Sequence, residues 1–345
     1  MKKMLALLLA LVMVLSLAAC ASSQPAAAST ETAETTETTE PAAEESAEAP
    51  AESGMTYTVG VCQLVQHEAL DAATQGFVDA LKEELGDAVT VDVQNASGDS
   101  VNCGTIVNGF VSKGVDLIMA NATPALTAAV SATADIPILG TSITAYGVAL
   151  DIDDFNGTVG GNVSGTSDLA DLQAQAQMIL DWFPETKTVG LLFCSAEPNS
   201  RYQIDEVRKA LEAQGVTCEE FAFTDSNDVS SVTQKAADFS DVVYIPTDNT
   251  AASNTEAIAN VLIPAGVPAV CGEEGLCRGC GVATLSISYY DLGVTTGKMA
   301  AKILKGEADI STMPVEYTDA TPKYNASVCE QLGITPLDGY EAIDG

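Results

Sequence analysis

Tyr57-Thr-Val-Gly-Val-Cys-Gln-Leu64 and Thr188-Val-Gly-Leu-Leu-Phe193 are β-rich runs about 130 residues apart that share the triplet Thr-Val-Gly. After the first run, Leu70, Ala73, Phe77, Leu81 and Leu85 fall at three-and-four spacing, the pattern of a helix with one apolar face laid on a sheet. Val89 to Gln94, a helix near Asn102 to Lys113, the strand Asp116-Leu-Ile-Met-Ala120, a further helix and the strand Ile136-Pro-Ile-Leu139 continue the alternation. The second half keeps the order. Asp225-Ser-Asn-Asp-Val229 answers Asn95-Ala-Ser-Gly-Asp99, Asp241-Val-Val-Tyr-Ile245 answers Asp116 to Ala120, and Val267-Pro-Ala-Val270 answers Ile136 to Leu139. Strand and helix in alternation predict βαβ units and parallel sheets. The repeat therefore predicts an α/β chain of two doubly wound lobes joined by a hinge. Open parallel sheets take ligands beyond the carboxyl ends of their strands, so two facing lobes enclose a cleft. Hinged closure around a solute is a recurring motion of such pairs.

The N-terminus predicts export. Lys2 and Lys3 precede an apolar stretch from Met4 to Leu17, and Leu17-Ala-Ala-Cys20 closes it with small residues. The stretch is short for a bilayer span and reads as a signal peptide over 1–19. The closing residues resemble a bacterial lipobox, which implies lipidation of Cys20. Residues 20–54 then hold eight glutamates, no Lys or Arg and little large apolar surface. Such a segment is expected to be a disordered, extended tether. These readings place the protein on the outer face of the cytoplasmic membrane.

The chain carries 14 Lys plus Arg against 48 Asp plus Glu, a formal net charge of −34. That balance excludes nucleic acid as a partner, since phosphate binding needs a basic face.

A family resemblance adds to this. Gly60-Val-Cys-Gln-Leu-Val-Gln-His67 with Gly76-Phe77, Ala122-Thr-Pro-Ala125 and Gly160-Gly-Asn-Val-Ser-Gly-Thr-Ser-Asp168 carry it in the first half. Ser195-Ala-Glu-Pro-Asn-Ser200, Pro246-Thr-Asp-Asn-Thr250 and Tyr289-Tyr-Asp-Leu-Gly293 with Gly297-Lys-Met-Ala300 carry it in the second. From about 57 to 335 the chain resembles the ABC transporter substrate-binding family that includes the tryptophan- and tyrosine-binding lipoproteins. The resemblance implies a type I periplasmic-binding-protein fold, an aromatic amino acid as ligand, an ABC permease as partner, a monomeric state and no cofactor. It implies three hinge crossings, placed near Gly165 to Asp168, Ser286 to Tyr289 and Ser311 to Pro314. The lobes then comprise 55–166 with 289–312, and 167–288 with 313–345. One departure stands out: Ser286 and Ser288 occupy a stretch where relatives often carry an acid.

Candidate ligand residues sit in loops between a strand and a helix. Gln63 and His67 end and follow the first strand. Thr123, placed as an N-cap before Pro124, offers free helix amides for an α-carboxylate. Thr141, Ser142 and Thr144 follow the next strand and supply hydroxyls to the same group. In the facing lobe stand Glu197, Asn199 and Ser200, then Asp248 and Asn249, then Glu274. A ligand ammonium needs a buried carboxylate partner, and the sequence ranks Asp248 first, then Glu197, then Glu274. Tyr146, Phe155, Tyr202, Tyr289 and Tyr290 are available to wall an aromatic ring.

Eight cysteines follow Cys20. Cys62 and Cys194 fall inside strands, where thiols behave as small hydrophobes. Cys271 and the Cys277-Arg-Gly-Cys280 pair suggest a local disulfide or free thiols, with metal or redox chemistry as the alternative. No nucleophile elbow, Walker loop or metalloprotease helix is present. Competing readings remain open on these residues alone: a receptor for a nucleoside, sugar or other amino acid, a sensory lobe, or a surface thiol oxidoreductase using Cys277 and Cys280.

Overall fold

The structure is a computed structural model that describes residues 55–343. The signal peptide, Cys20 and the tether expected above lie outside the described residues.

In the first lobe, strands β1 (Tyr57–Gln63), β2 (Val89–Asn95), β3 (Leu117–Asn121), β4 (Ile138–Thr141) and β5 (Val163–Ser167) alternate with helices α1 (Glu68–Leu85), α2 (Ser100–Lys113), α3 (Thr123–Ala132) and the single turn α4 (Tyr146–Ala149). The second lobe opens with α5 (Leu172–Trp182). It continues through β6 (Thr188–Cys194), α6 (Pro198–Glu212), β7 (Thr217–Phe223), α7 (Val229–Phe239) and β8 (Val242–Ile245). Helices α8 (Asn249–Ala252) and α9 (Thr255–Ala265), strand β9 (Ala269–Cys271), helix α10 (Glu274–Cys280) and strand β10 (Ala283–Ser286) follow. Helix α11 (Tyr289–Leu304) returns to the first lobe with β11 (Glu316–Tyr317), and β12 (Thr321–Tyr324), α12 (Ala326–Leu332) and β13 (Glu341–Ala342) finish the second.

The two sheets repeat one order. The first runs β11-β5-β4-β3-β1-β2 and the second β13-β12-β10-β9-β8-β6-β7. Strands β1 to β5 and β6 to β10 pair in parallel in matching positions, with Val59 opposite Leu117 in one lobe and Val189 opposite Val242 in the other. Burial on both faces explains why the central strands β3 and β8 read as continuous hydrophobic runs rather than an alternation, since helices cover both faces.

The third crossing differs from its expected place. β11 pairs Glu316 with Thr166 and Tyr317 with Ser167, so the first sheet keeps the chain through 317 before it crosses. A two-residue strand adds too little periodic signal to be seen in sequence.

Helix α11 is held against α1 by small residues. A Cβ on Gly76 would run into the carbonyl of Tyr290, and one on Gly293 into the carbonyl of Ala73. Only glycine lets the two backbones approach this closely. The pairing brings the N-terminus of α11 to the mouth of the cleft.

Candidate functional site

The carboxyl ends of both sheets face each other, and the lobes touch there. The His67 ring, one residue before α1, lies 3.2 Å by Nε2 from Asn249 Oδ1 on the second lobe. Arg278 of α10 donates by Nε to Glu68 Oε1 of α1 at 2.9 Å. Between these contacts is a small enclosed cavity lined from the first lobe by His67, Leu70, Ser142 and Thr144 and from the second by Asn199, Asp248 and Asn249, with Asp168 and Tyr289 at the crossings.

Unpaired polar atoms mark this cavity. Among the described residues ten buried side-chain polar atoms have no hydrogen-bond partner, and four belong to its lining: His67 Nδ1, Ser142 Oγ, Asp168 Oδ1 and Asn199 Oδ1. Buried polar groups are ordinarily paired, because an orphaned one costs about 1–3 kcal/mol. Four belonging to the lining of one space of about 10 Å³, room for about one water, mark it as polar, and a larger guest is admitted only when the lobes part.

The carboxylates separate by what already holds them. Asp248 accepts the Cys194 N–H at 2.6 Å and the Ala251 N–H at 2.8 Å, which caps α8 and ties it to β6. Glu197 accepts four donors, the N–H groups of Asn249 and Thr250, the Asn249 amide and the Thr250 hydroxyl. Glu273 caps α10 through the N–H groups of Gly275 and Leu276. Glu274 turns outward to Arg278 and Lys323. Asp168 is different. Its Oδ2 accepts from the Tyr289 hydroxyl at 2.9 Å, while Oδ1 faces the cavity unpaired. Burial raises its carboxyl above the ordinary range, opposed by the hydroxyls of Thr144 and Tyr289.

Burial also pushes Asp248 up to about 8, helped by the Glu197 charge beside it, and Glu273 up to about 7 against its two backbone donors. The cavity is thus acidic in composition yet poor in settled negative charge.

The orientation of Asn199 follows from its neighbours. Its amide nitrogen donates to the Thr247 carbonyl at 3.1 Å, and a carbonyl can only accept, so the oxygen is the Asn199 amide atom left without a partner.

Several expected residues are committed elsewhere. The Gln63 amide bonds the Val65 carbonyl, Asp71 and Thr74, fastening β1 to α1. The Thr141 hydroxyl meets Thr166 at 3.1 Å and Thr296 at 3.2 Å in a buried cluster under the sheet edge. Thr123 is the first residue of α3, not its cap. Ala122 holds the cap position with φ +87°, and neither Thr123 nor Ser200 lines the cavity. Of the aromatic side chains proposed as walls only Tyr289 reaches it. Tyr146 stacks on Phe155 at 6.2 Å and donates to the carbonyls of Gly140 and Thr166. Thr144, expected with Thr141 and Ser142, does line the cavity, whereas Asp168, which also lines it, was not among the ligand residues expected from sequence. The signal available for Asp168 was its place at the end of β5, the first crossing.

The eight cysteines among the described residues are free thiols, seven of them buried, and Cys62 and Cys194 sit in β1 and β6 as expected. Cys277 and Cys280 lie within α10 under its apolar face. No group of His, Cys, Asp or Glu among the described residues is arranged to hold a metal ion.

Residues 58–339 match the family described as ABC transporter substrate binding protein. The chain belongs to that family. A tyrosine-binding protein of Clostridioides difficile is 32% identical over 269 residues, 76% of each chain. The crystal structure of an ABC domain in complex with L-Trp from Streptococcus pneumoniae is 32% identical and superposes at a TM-score of 0.79, covering 84% of this chain and 100% of that one. A conserved domain protein from Vibrio cholerae superposes at 0.80 with 30% identity over the same shares. A ligand-free, open substrate binding protein from Clostridium difficile is 33% identical yet superposes at only 0.65, covering 84% of this chain and 99% of that one. Similar identity with a lower score against the open form agrees with the contacts across the cleft: the lobes here are closed. As a member of this family the protein is a small-molecule-binding component of an ABC transporter and works outside the cytoplasm. The family is one of binding proteins, not catalysts. Among the described residues no helix is long and apolar enough to cross a membrane.

Proposed function

We propose that this protein is the lipid-anchored capture subunit of an ABC importer for an aromatic amino acid, namely tryptophan, tyrosine or phenylalanine. The observation that carries the reading is the set of four unpaired polar atoms in one cavity between closed lobes. The relatives named for tyrosine binding and solved with L-Trp support the ligand class.

Asp168 Oδ1 receives the α-ammonium, with the Asn199 oxygen as a second acceptor. Ser142 donates to the α-carboxylate. The N-terminus of α1 assists, because His67 in its cap position makes no side-chain cap and leaves the first-turn amides to the cleft. In the second lobe Glu197, Asp248 and Glu273 already occupy the amides of α8 and α10, so the carboxylate is drawn to the first lobe. Leu70, Ala252 and the Tyr289 ring give the side chain its apolar contacts. Cys20 carries the lipid once residues 1–19 are removed, residues 20–54 form the tether, and the lobes act as a monomer against a membrane permease.

A thermal-shift screen against the standard amino acids, nucleosides and sugars tests this. A ligand at a hundred times its Kd adds about 2.7 kcal/mol to the folded state, a plain rise in Tm. A shift confined to the aromatic amino acids is expected. A shift from another solute alone would discard the aromatic ligand and keep the receptor.

A further inference from the structure

We propose that His67 is a specificity-determining residue of the cleft: its Nδ1 lone pair accepts a hydrogen bond from a donor on the bound solute, and Asn249 and Glu197, reaching from the other lobe, set the ring tautomer that presents it. The inference rests on the cavity being the solute site.

A chain of one-way hydrogen bonds fixes the ring. The Glu197 carboxylate can only accept, and its Oε2 takes the Asn249 side-chain amide at 2.7 Å. The Asn249 oxygen is therefore the atom that faces His67 Nε2 at 3.2 Å. An amide oxygen also only accepts, so Nε2 carries the hydrogen. A neutral imidazole has one N–H, which leaves Nδ1 as a bare lone pair, buried, unpaired and in the cavity wall. Glu197 touches no solute in this arrangement. It is a positioning residue acting through Asn249, and the whole relay exists only when the lobes meet.

The relay also makes binding sensitive to pH. Protonation would turn Nδ1 from acceptor to donor and aim a cation at the donor group of the solute. The groups around the ring are Glu68 and Asp71 on α1, Asn249, Glu197 and Arg278 on the second lobe, and Asp168, Asp248 and Glu273 around the cavity. Burial lowers the ring, and it outweighs the hydrogen bond to Asn249 and the charges of Glu197 and Asp71, which raise it. When the cleft opens, the ring meets water and returns to its ordinary value of about 6.5. A base whose closed-state value is lowered favours the closed form above its open-state value, so affinity is lost as pH falls below about 6.5. Asp168, Asp248 and Glu273, raised by burial, act with the opposite sign. The wild-type and variant profiles must therefore be compared.

His67 is the chain's one histidine, so labelling with ¹⁵N-histidine gives a spectrum with a single ring to assign. The full chain is titrated with L-tyrosine and L-tryptophan, and with the other standard amino acids if neither binds. Expected are a neutral Nε2–H ring in the bound state, with Nδ1 shifted as a hydrogen-bonded acceptor, and an affinity loss from about pH 7.5 to 5.5 that is larger in the wild type than in either His67 variant. His67→Asn keeps an amide oxygen near the Nδ1 position and should hold affinity within a few-fold while flattening the profile. His67→Gln keeps a donor toward Asn249 without that acceptor and should lose about tenfold or more. Glu197→Gln should let the Asn249 amide turn and mix the two ring tautomers. A bound ring carrying its hydrogen on Nδ1, or equal losses in both His67 variants with the wild-type profile no steeper than theirs, would overturn the role of His67. Failure of every standard amino acid to bind would instead overturn the proposed function.

Discussion

The Tyr289 hydroxyl donates to Asp168 Oδ2 at 2.9 Å, joining the segment in which the chain first leaves the first lobe to the helix by which it returns. One oxygen of the carboxylate is thereby held, and the other is left to the cavity.

Asp168→Asn should weaken binding of the cognate amino acid by about a hundredfold, ~2.7 kcal/mol, since a hydrogen-bonded charge partner is worth about 1.5–3 kcal/mol. Tyr289→Phe frees the carboxylate without removing it, so about a tenfold loss is expected. Isothermal titration of both variants checks the order. A Tyr289→Phe loss as large as that of Asp168→Asn would place the ammonium elsewhere.

Asp248 behaves differently in this geometry. Both its oxygens are taken by backbone N–H groups of its own lobe. Asp248→Ala leaves the Cys194 and Ala251 amides unpaired in the interior, which costs about 1–3 kcal/mol for each buried donor. Urea denaturation should show that loss, while the folded fraction keeps its affinity within a few-fold. A large affinity loss at unchanged stability would return Asp248 to the ligand.

These two aspartates show what the sequence could and could not carry. The lobes were legible because strands buried on both faces and amphipathic helices leave a periodic trace, repeated at Thr58 and Thr188. The loops that line the cleft were legible for the same reason, since each must follow a strand. The carboxylate was not. Glu197, Asp248 and Glu273 all precede helices at the cleft, and each is consumed by amides that come near it only in the folded chain. Thr141 was misleading in the same way, because its partner Thr296 lies 155 residues on.

Stability should rise as pH falls from about 8 toward 5. Asp248, pushed up to about 8, and Glu273, pushed up to about 7, bind protons in the folded state that the unfolded chain has already lost in this window. A raised carboxyl stabilises the fold less as pH climbs through that range. Relief of repulsion in a chain of net charge −34 acts in the same direction. His67, whose value is lowered by burial, opposes it below about 6.5. Calorimetric Tm values across this range should climb on acidification, and Glu273→Gln should flatten the slope. A Tm that falls steadily from pH 8 to 5 would contradict the buried carboxylates.

Gly293→Ala should damage the fold and not the ligand chemistry. Its Cβ would meet the Ala73 carbonyl, a backbone atom of α1 that cannot rotate away. Forcing extra volume into such a contact typically costs about 1–3 kcal/mol. The urea midpoint should drop accordingly. Because α11 also carries Tyr289, affinity at saturating folding conditions should fall by less than in Tyr289→Phe.

The Arg278 pair with Glu68 spans the lobes, so it contributes to the closed state and nothing to the open one. Both side chains are partly exposed, and pairs of this kind are worth about 0–1 kcal/mol. Glu68→Gln should therefore weaken ligand binding by about two- to fivefold through a faster off-rate, with little change in unfolding. Screening should erase the difference between wild type and variant as salt approaches 1 M, where the Debye length is about 3 Å. Arg278 also bonds Glu274 within its own helix, so Arg278→Ala removes more than the cross-lobe pair and is the less specific probe. Stopped-flow binding at low and high salt separates the cases. A Glu68→Gln effect that persists unchanged in high salt would mean that the helix end, and not the ion pair, holds the lobes together.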